Sequence, residues 1–326
     1  MRNIRQEVTD LVIKAIENGT PPWRAGWTRG DAHRNAKSGN AYKGINQILL
    51  SMSPFDDPRW LTFKQASELG YKVQKGQHGS QIVKMIEVSR DLADTPADAD
   101  VIATESRRSL LMKAYTVFNA KQIEGIPPLP EPTNKVEPIA AVEAITSGMK
   151  STGLVIKEMG DQPSYIPALD VIKMPRQRRF HSNEEYQATL LHEISHATGH
   201  SKRMNREHVF ARVGTEQYGR EELVAELTAA QLFPMLGIQF AQSQLENHAA
   251  YLASWLTLLK RDKNEIFKAA ADAQRVCDYL VQWVPKPELT QAILPAVDLV
   301  TTATGTPEQP VEAVKTPRRF GPSGMR

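Results

Sequence analysis

Residues 189–200 read TLLHEISHATGH. The segment before this stretch carries the signals of a helix start, because Ser182 followed three residues later by Glu185 is the pattern of a capping box. Gly199 is typical of the position just past a helix end. The motif from His192 to His196 is therefore predicted to lie inside one helix, 183–198, and this decides how its polar residues are interpreted.

His192 and His196 lie one turn apart in this helix, so both imidazoles project from the same face and reach one ion. Glu193 is rotated by about 100° from His192, which places its carboxylate beside the ion, where a general base is needed. The alternative is a pair of ordinary helix histidines. With 8 His in 326 residues, a chance H-E-x-x-H is expected in only about one chain in a hundred, so metal binding is favoured.

A catalytic zinc site takes a third protein ligand and keeps its fourth position open. Metzincins take a third histidine from a longer motif, but Lys202 occupies the required position and His200 comes too early. Gluzincins use a glutamate of a following helix, with an acid four residues later that holds a ligand histidine. The segment REELVAELTAA offers Glu222 as the ligand and Glu226 as the acid that orients the histidine, with Glu221 as the alternative ligand.

These residues predict peptide hydrolysis, in which zinc polarises a carbonyl and Glu193 takes a proton from water. Mn²⁺ or Co²⁺ is an alternative to Zn²⁺ at such a site. Tyr218, His208 and His200 are candidates to stabilise the oxyanion, with Tyr218 preferred. The segment SYIPALDVIKMP is a candidate edge strand that receives a peptide substrate by β-augmentation. The protein substrate is not specified by the sequence.

The composition limits the class of protein. The chain is 41% hydrophobic and 24% charged, which indicates packed cores, and a length of 326 residues favours two domains. No apolar run is long enough for a membrane span, so no membrane partner and a cytoplasmic location are expected. Cys277 is the only cysteine, which excludes an intrachain disulfide. Residues 1–90 carry 14 Lys and Arg against 8 Asp and Glu, a net of +6 in a chain of net +3.

The predicted fold class is α+β with two domains. The first, 1–130, is an α+β domain that contains an amphipathic helix, IRQEVTDLVIKAIENG, and two strands, QIVKMIEVS and LLMKAYTVFN, joined by an acidic loop near 91–105. The Pro-rich segment 126–138 marks the boundary. A basic tail, 289–326, is expected to be disordered.

The second domain, 131–288, is predicted to be mainly helical with a small sheet. It begins with a helix near 138–151 and a hairpin-like pair, LVIKEMG and SYIPALDVIKMP. After the helix that carries the histidines, two more are expected, at 220–236 and across 243–283 with a break near 262–264.

The first domain interleaves aromatic residues with cations, which is typical of single-stranded nucleic acid binding, where bases stack on rings and cations follow the phosphates. The candidate DNA-binding residues are Trp23, Arg24, Trp27, Tyr42, Lys43, Arg59, Trp60, Lys64, Lys72 and Lys75.

The runs IENGTPPWRAGW, GNAYKGINQILL, PRWLTFKQASELGYKVQKGQHGSQIV and YTVFNAKQIEG resemble the amino-terminal domain of ArdC-type antirestriction proteins, which is shared with TraC-type primases. YQATLLHEISHATGHSKRMNR, REELVAELTAAQL and HAAYLASWLTLLKRDKNEIFKAAADAQRVCDYL resemble the zincin domain of the same family. The resemblance implies a domain that binds single-stranded DNA, a metallopeptidase-like domain, carriage on a mobile element and protection of incoming DNA from host restriction.

Three hypotheses remain open. The first is a metallopeptidase that single-stranded DNA guides to its protein substrate. The second is a non-proteolytic protein that coats single-stranded DNA and has a structural or vestigial metal site. The third is a general intracellular protease with no role on DNA.

Overall fold

The computed structural model describes residues 3–18, 32–89, 101–103, 108–129, 138–238 and 249–285. All of them belong to one compact unit, Met1–Leu294. The Pro-rich boundary is largely outside these ranges, and so is the predicted disordered tail; the domain limits therefore remain predictions. None of the helices in the described ranges has the length and apolar character that crossing a membrane requires.

The described part of the N-terminal segment contains three helices and seven strands, as the α+β prediction required. Helix α1 begins after Asn3, whose side chain accepts a hydrogen bond from the Gln6 backbone N–H. The helices are α1 (Ile4–Glu17), α2 (Ile45–Ser51) and α3 (Phe63–Glu68). The strands are β1 (Arg34–Asn35), β2 (Arg59–Leu61), β3 (Lys72–Val73), β4 (Ser80–Ser89), β5 (Val101–Ala103), β6 (Arg108–Asn119) and β7 (Ile123–Glu124).

Strand β6 is the central strand of this segment and pairs with three others. It pairs antiparallel with β4 from Ser80↔Val117 to Ser89↔Arg108, and it also pairs with β2 and β5. The main path of the sheet runs β1-β2-β6-β4, and β3 pairs separately with β7. The two long strands, β4 and β6, are those that the alternating sequences QIVKMIEVS and LLMKAYTVFN predict.

The C-terminal segment is mainly helical. Its helices are α4 (Pro138–Ser151), α5 (Asn183–Ala197), α6 (Glu216–Met235), α7 (Ala249–Arg261) and α8 (Glu265–Val281), and its strands are β8 (Val155–Glu158), β9 (Ser164–Ile166) and β10 (Val171–Met174). The predicted break near 262–264 separates α7 from α8. Helix α6 begins four residues earlier than predicted, because Thr215 caps its first turn by accepting from the Tyr218 backbone N–H.

The prediction of a hairpin between the first two strands of this segment is wrong in its pairing. Strand β10 lies between β8 and β9, parallel to β8 and antiparallel to β9. The hairpin is β9–β10, and its turn ends at Asp170, which has a positive φ of 53° that aspartate tolerates better than most residues. Strand β9 is therefore left at the edge of the sheet.

One hydrophobic core spans both segments. Val12 and Ile16 of α1 and Ile48 of α2 belong to the same buried cluster as side chains of α4 to α8. The start of α2 is also held by the C-terminal segment, because the Gly44 backbone N–H donates to the side-chain oxygens of Gln231, at 3.1 Å, and Gln274, at 2.9 Å. The two predicted domains are thus packed as one body.

Candidate functional site

Helix α5 presents the two histidines of the motif to one point. The Ser182 hydroxyl accepts from the Glu185 backbone N–H at 3.1 Å, as predicted, whereas the Glu185 carboxylate accepts from His181 and not from Ser182. The His192 and His196 rings are nearly perpendicular, at 82°, and their Nε2 atoms are 3.2 Å apart. Both Nε2 atoms therefore face the same small volume.

Helix α6 adds a carboxylate to this pair. Glu222 Oε2 lies 3.6 Å from His192 Nε2, and Glu222 Oε1 lies 3.5 Å from His196 Nε2. Four ligand atoms arranged as a tetrahedron about 2.0–2.2 Å from a zinc ion are roughly 3.3–3.6 Å from one another. The separations of these side chains, together with the two-imidazole, one-carboxylate donor set, fit a divalent cation of the size of zinc.

A second layer of acids contacts the outer nitrogens of both histidines. Glu226 Oε1 lies 3.6 Å from His192 Nδ1, in the place predicted for the acid that orients this ring. Glu221, which the sequence left open as a ligand, lies 3.3 Å from His196 Nδ1 on the far side of the ring from the site. The structure therefore places Glu222, and not Glu221, at the inner nitrogens.

Arg206 is a site residue that the sequence analysis missed. Its guanidinium forms a buried ion pair with Glu221 and also donates to Thr198 Oγ1 at 2.6 Å and to the Ser195 carbonyl at 2.8 Å. Arg206 thus links the loop after α5 to both helices of the site. Because this loop has no periodic pattern, its sequence gave no sign of the contact.

The histidines and acids of the site shift one another's pKa values. Burial opposes protonation of His192, but the hydrogen bond with Glu222 and the charges of Glu226 and Glu222 raise its pKa to about 9. Burial opposes ionisation of Glu222, but the charge of His196 and the hydrogen bond from His192 lower its pKa to about 2. A cation that binds these ligands therefore has to displace protons.

Glu193 is buried beside the ligand cluster. Burial raises the pKa of its carboxyl group, while the charges of His192 and His196 and the Tyr165 backbone N–H, which donates to the carboxylate, act in the opposite direction. A carboxylate of raised pKa is suited to accept a proton near neutral pH. Its contact with Tyr165 also ties it to the edge strand β9.

The ligand cluster opens into a cavity of about 820 Å³. One wall is formed by β9 and the residues around it, 161–168, and a second wall by Val209, Phe210, Ala211 and Val213. The second wall exposes Phe210 and Val213 to solvent. The edge strand predicted to receive a peptide therefore borders the cavity that contains His192 and Glu193.

The three candidates for stabilising an oxyanion differ in position. Tyr218 lines the cavity, and its side chain hydrogen-bonds the Glu222 carboxylate. His200 and His208 are not among the residues that line it. His200 instead accepts from the Lys202 backbone N–H at 3.2 Å and lies 3.8 Å from Asp170. Tyr218 is the candidate that the geometry retains.

The predicted DNA-binding residues are of three kinds: those outside the described residues, those accessible to solvent, and those that are buried. Trp23, Arg24 and Trp27 lie outside the described residues. The four lysines Lys43, Lys64, Lys72 and Lys75 are exposed, and Tyr42 is half-buried.

Two of the DNA-binding predictions are wrong. Trp60 is 0% exposed, and its indole N–H donates to His33 Nδ1 at 3.1 Å, so its ring is not accessible to a base. Arg59 is buried in an ion pair with Asp57 and is not available to a phosphate. The physical reason is the same for both residues, because β2 lies inside the sheet, between β1 and β6, and is covered on both faces.

Comparison with known proteins identifies two family domains along the chain. Residues 141–272 match the model of a zincin-like metallopeptidase family, and residues 2–118 match the N-terminal domain of the anti-restriction factor ArdC. The crystal structure of the metal-free ArdC protein of plasmid R388 superposes with a TM-score of 0.67 at 36% identity, covering 86% of this chain and 98% of that one. The chain belongs to the ArdC family of antirestriction proteins. The predicted resemblance and the two-domain α+β fold class are thereby confirmed.

A second structure of R388 ArdC and one further relative of this ArdC-family chain extend the comparison. The Mn(II)-bound structure of R388 ArdC superposes with a TM-score of 0.68 at 35% identity, again over 86% of this chain and 98% of the other. DNA primase TraC of Escherichia coli is 35% identical over 321 residues, which is 93% of this chain and only 29% of the length of TraC. The similarity to the primase therefore concerns one part of that protein.

Proposed function

We propose that this ArdC-family chain is a divalent-metal peptidase that binds single-stranded DNA and protects incoming DNA of a mobile element from host restriction. The observation that carries the peptidase part is the convergence of His192, His196 and Glu222, with mutual distances of 3.2 to 3.6 Å, beside a buried carboxylate. Zn²⁺ is the ion that this donor set favours. The Mn(II)-bound relative supports Mn²⁺ as an alternative.

A divalent cation held by these three side chains supplies Lewis acidity toward a carbonyl group and lowers the pKa of water. The residues of the chain divide the remaining work. Glu193 accepts a proton from the attacking water and passes it to the leaving amine. Glu226 and Glu221 hold the outer nitrogens of the histidines, so that the inner nitrogens keep their lone pairs directed into the site.

The substrate is proposed to be an extended peptide segment. Among the described strands, β9 lies at the edge of its sheet next to the cavity, and main-chain hydrogen bonds along this edge would orient a peptide across the site. Tyr218, which lines the cavity, is the proposed donor to the carbonyl oxygen of the scissile bond. Binding of single-stranded DNA is proposed for the N-terminal domain, on the basis of its family and its positive charge.

The test is Glu193→Gln, which keeps the size of the side chain and removes the proton acceptor. Glu184→Gln is the matched control, because Glu184 is an exposed glutamate of the same helix. Both variants are expected to retain metal, measured by elemental analysis, and DNA affinity. We expect Glu193→Gln alone to lose cleavage of a peptide library and protection of a transferred plasmid in a restricting host.

The outcomes separate the hypotheses. If Glu193→Gln still protects the plasmid, the peptidase is not needed and coating of DNA is the function. The affinity of the wild-type protein for labelled single-stranded DNA should fall as salt rises from about 50 to 200 mM. If it does not fall, the DNA part of the proposal fails and a general protease remains. If the purified protein holds no metal and takes up none, the peptidase part fails.

A further inference from the structure

Part of one face of the β4–β6 ladder is exposed to solvent, at Lys84, Lys113 and Tyr115. The register of the two strands pairs Ile82 with Tyr115 and Lys84 with Lys113. Because directly paired residues of an antiparallel ladder point to the same side, these four side chains share one face. The opposite face carries Val83 and Met112 into the core.

Lys84 and Lys113 place two like charges directly opposite each other, which destabilises a strand pair when nothing compensates them. Both are exposed, and among the described residues neither has an acidic partner. Of the residues that share this face, 80–88 and 109–117 taken alternately, none is Asp or Glu. The face thus offers two adjacent cations to an anion.

Other lysines of the N-terminal domain are neutralised. Lys37 and Lys64 lie near Glu68, Lys43 lies 3.4 Å from Asp278, and Lys121 pairs with Asp56. The lack of an acidic partner at Lys84 and Lys113 is therefore not common to every lysine in this domain.

Tyr115 adds an aromatic surface beside these cations. Its side chain is 39% exposed, and it lies two residues along β6 from Lys113, a separation of about 7 Å on one face. Ile82, opposite Tyr115, packs against the buried cluster of Leu50, Trp60 and Val117, on which Tyr42 also packs. Ile82 and Tyr42, a residue that the sequence marked for DNA, thus pack against the same buried cluster.

We propose that Lys84, Lys113 and Tyr115 form a contact site for single-stranded DNA, in which the lysines bind phosphate and the tyrosine ring stacks on an unpaired base. This inference rests on the proposed DNA-binding function and assigns it to residues that the sequence pattern did not single out. A phosphate between the two ammonium groups relieves their repulsion. A base on Tyr115 has to be unpaired, because only then is its face open to the ring.

The test measures binding of a labelled oligothymidine to the full chain at about 50 and 200 mM salt. Lys84→Gln/Lys113→Gln is expected to bind more weakly and to lower the slope of log affinity against log salt by about 0.7, the value for the one phosphate that the two lysines bind together. The chain offers a matched control in Lys157→Gln/Lys173→Gln, because these lysines are also direct cross-strand partners, in the sheet of the other domain. The control is expected to leave the slope unchanged.

Tyr115→Ala tests stacking and is expected to weaken oligothymidine binding by on the order of 10- to 100-fold, while Tyr115→Phe retains most of the affinity. Duplex DNA is the second probe, and its affinity is expected to change much less with Tyr115→Ala. Thermal unfolding of each variant verifies that the fold is intact.

The results distinguish this inference from the function on which it rests. If the wild-type protein binds oligothymidine and both lysine pairs lower the slope equally, only net charge matters and the site is refuted. An equal loss of single-stranded and duplex affinity in Tyr115→Ala refutes stacking. Absence of binding by the wild-type protein overturns the DNA-binding function together with this site.

Discussion

Replacing Arg203 with methionine removes one partner of a buried ion pair behind the edge strand. The Arg203 side chain is 0% exposed and that of Asp170 is 6% exposed. The guanidinium donates to both carboxylate oxygens of Asp170 and to the Ala197 carbonyl at 2.7 Å, and Asp170 also accepts from the Tyr165 hydroxyl at 3.0 Å. The pair thereby joins the β9–β10 hairpin to the end of α5.

Arg203→Met leaves the Asp170 carboxylate without its buried counter-charge, with only the exposed ammonium group of Lys202 remaining at 3.7 Å. Loss of one partner of a buried pair typically lowers the free energy of unfolding by about 3–5 kcal/mol, because the remaining charge keeps its desolvation cost. Asp170→Asn added to Arg203→Met removes that charge, and asparagine tolerates the positive φ of this position. The double variant is therefore expected to be more stable than Arg203→Met alone.

The assay is urea unfolding of the metal-free protein, read by circular dichroism. Arg179→Met is the matched control, because Arg179 and Asp161 form an ion pair whose side chains are 54% and 76% exposed. Loss of this exposed pair is expected to lower the free energy of unfolding by less than about 1 kcal/mol. Hydrogen exchange at 164–166 should accelerate in Arg203→Met. An equal loss of stability in Arg203→Met and Arg179→Met would contradict the reasoning.

Three further predictions concern the metal site, the core shared by the two segments, and the pH dependence of Asp170. Glu226→Gln is expected to weaken metal binding by about 10- to 100-fold in titration calorimetry, because His192 loses its outer acid; an effect no larger than that of Glu184→Gln would refute this role. Ile48→Ala is expected to cost about 2–5 kcal/mol and to shift N-terminal and C-terminal hydrogen-exchange probes together, because its side chain lies in the shared core. The exposed Leu11→Ala is its control, and separate shifts of the two sets of probes would show that the domains unfold independently. Burial opposes ionisation of Asp170, but the hydrogen bonds from its arginine and tyrosine partners outweigh this effect and lower its pKa. The stability that the ionised Asp170 contributes is therefore complete above the ordinary aspartate pKa of about 3.9, and it is lost as the pH falls through the lowered pKa. The difference in unfolding free energy between the wild-type protein and Asp170→Asn should therefore be full at neutral pH and narrow below about pH 4, and a difference that widens there would overturn this assignment.

The ligand cluster could be predicted from the sequence because its geometry is mostly local. Two histidines one turn apart and a glutamate pair on the next helix face depend only on helical periodicity and on the contact of two neighbouring helices. The choice between Glu221 and Glu222 required the rotation of α6 about its axis, which the sequence does not specify.

Contacts made by irregular segments were not predictable in the same way. Arg206 and Arg203 lie in the loop after α5, where the path of the chain sets which acid each one meets. Likewise, aromatic and basic composition indicated a nucleic-acid surface, but it did not separate the buried Trp60 from the exposed Tyr115. That distinction depends on which strand lies inside the sheet and which side chains of a ladder face are exposed.

The shared core restricts how this architecture can be divided or exchanged. A fragment that begins after residue 130 lacks Val12, Ile16 and Ile48, and the surface they cover on the remaining helices would be exposed to water. Such a fragment is expected to aggregate, since large exposed apolar patches promote association. The match to TraC, which extends over 93% of this chain, accordingly includes both halves.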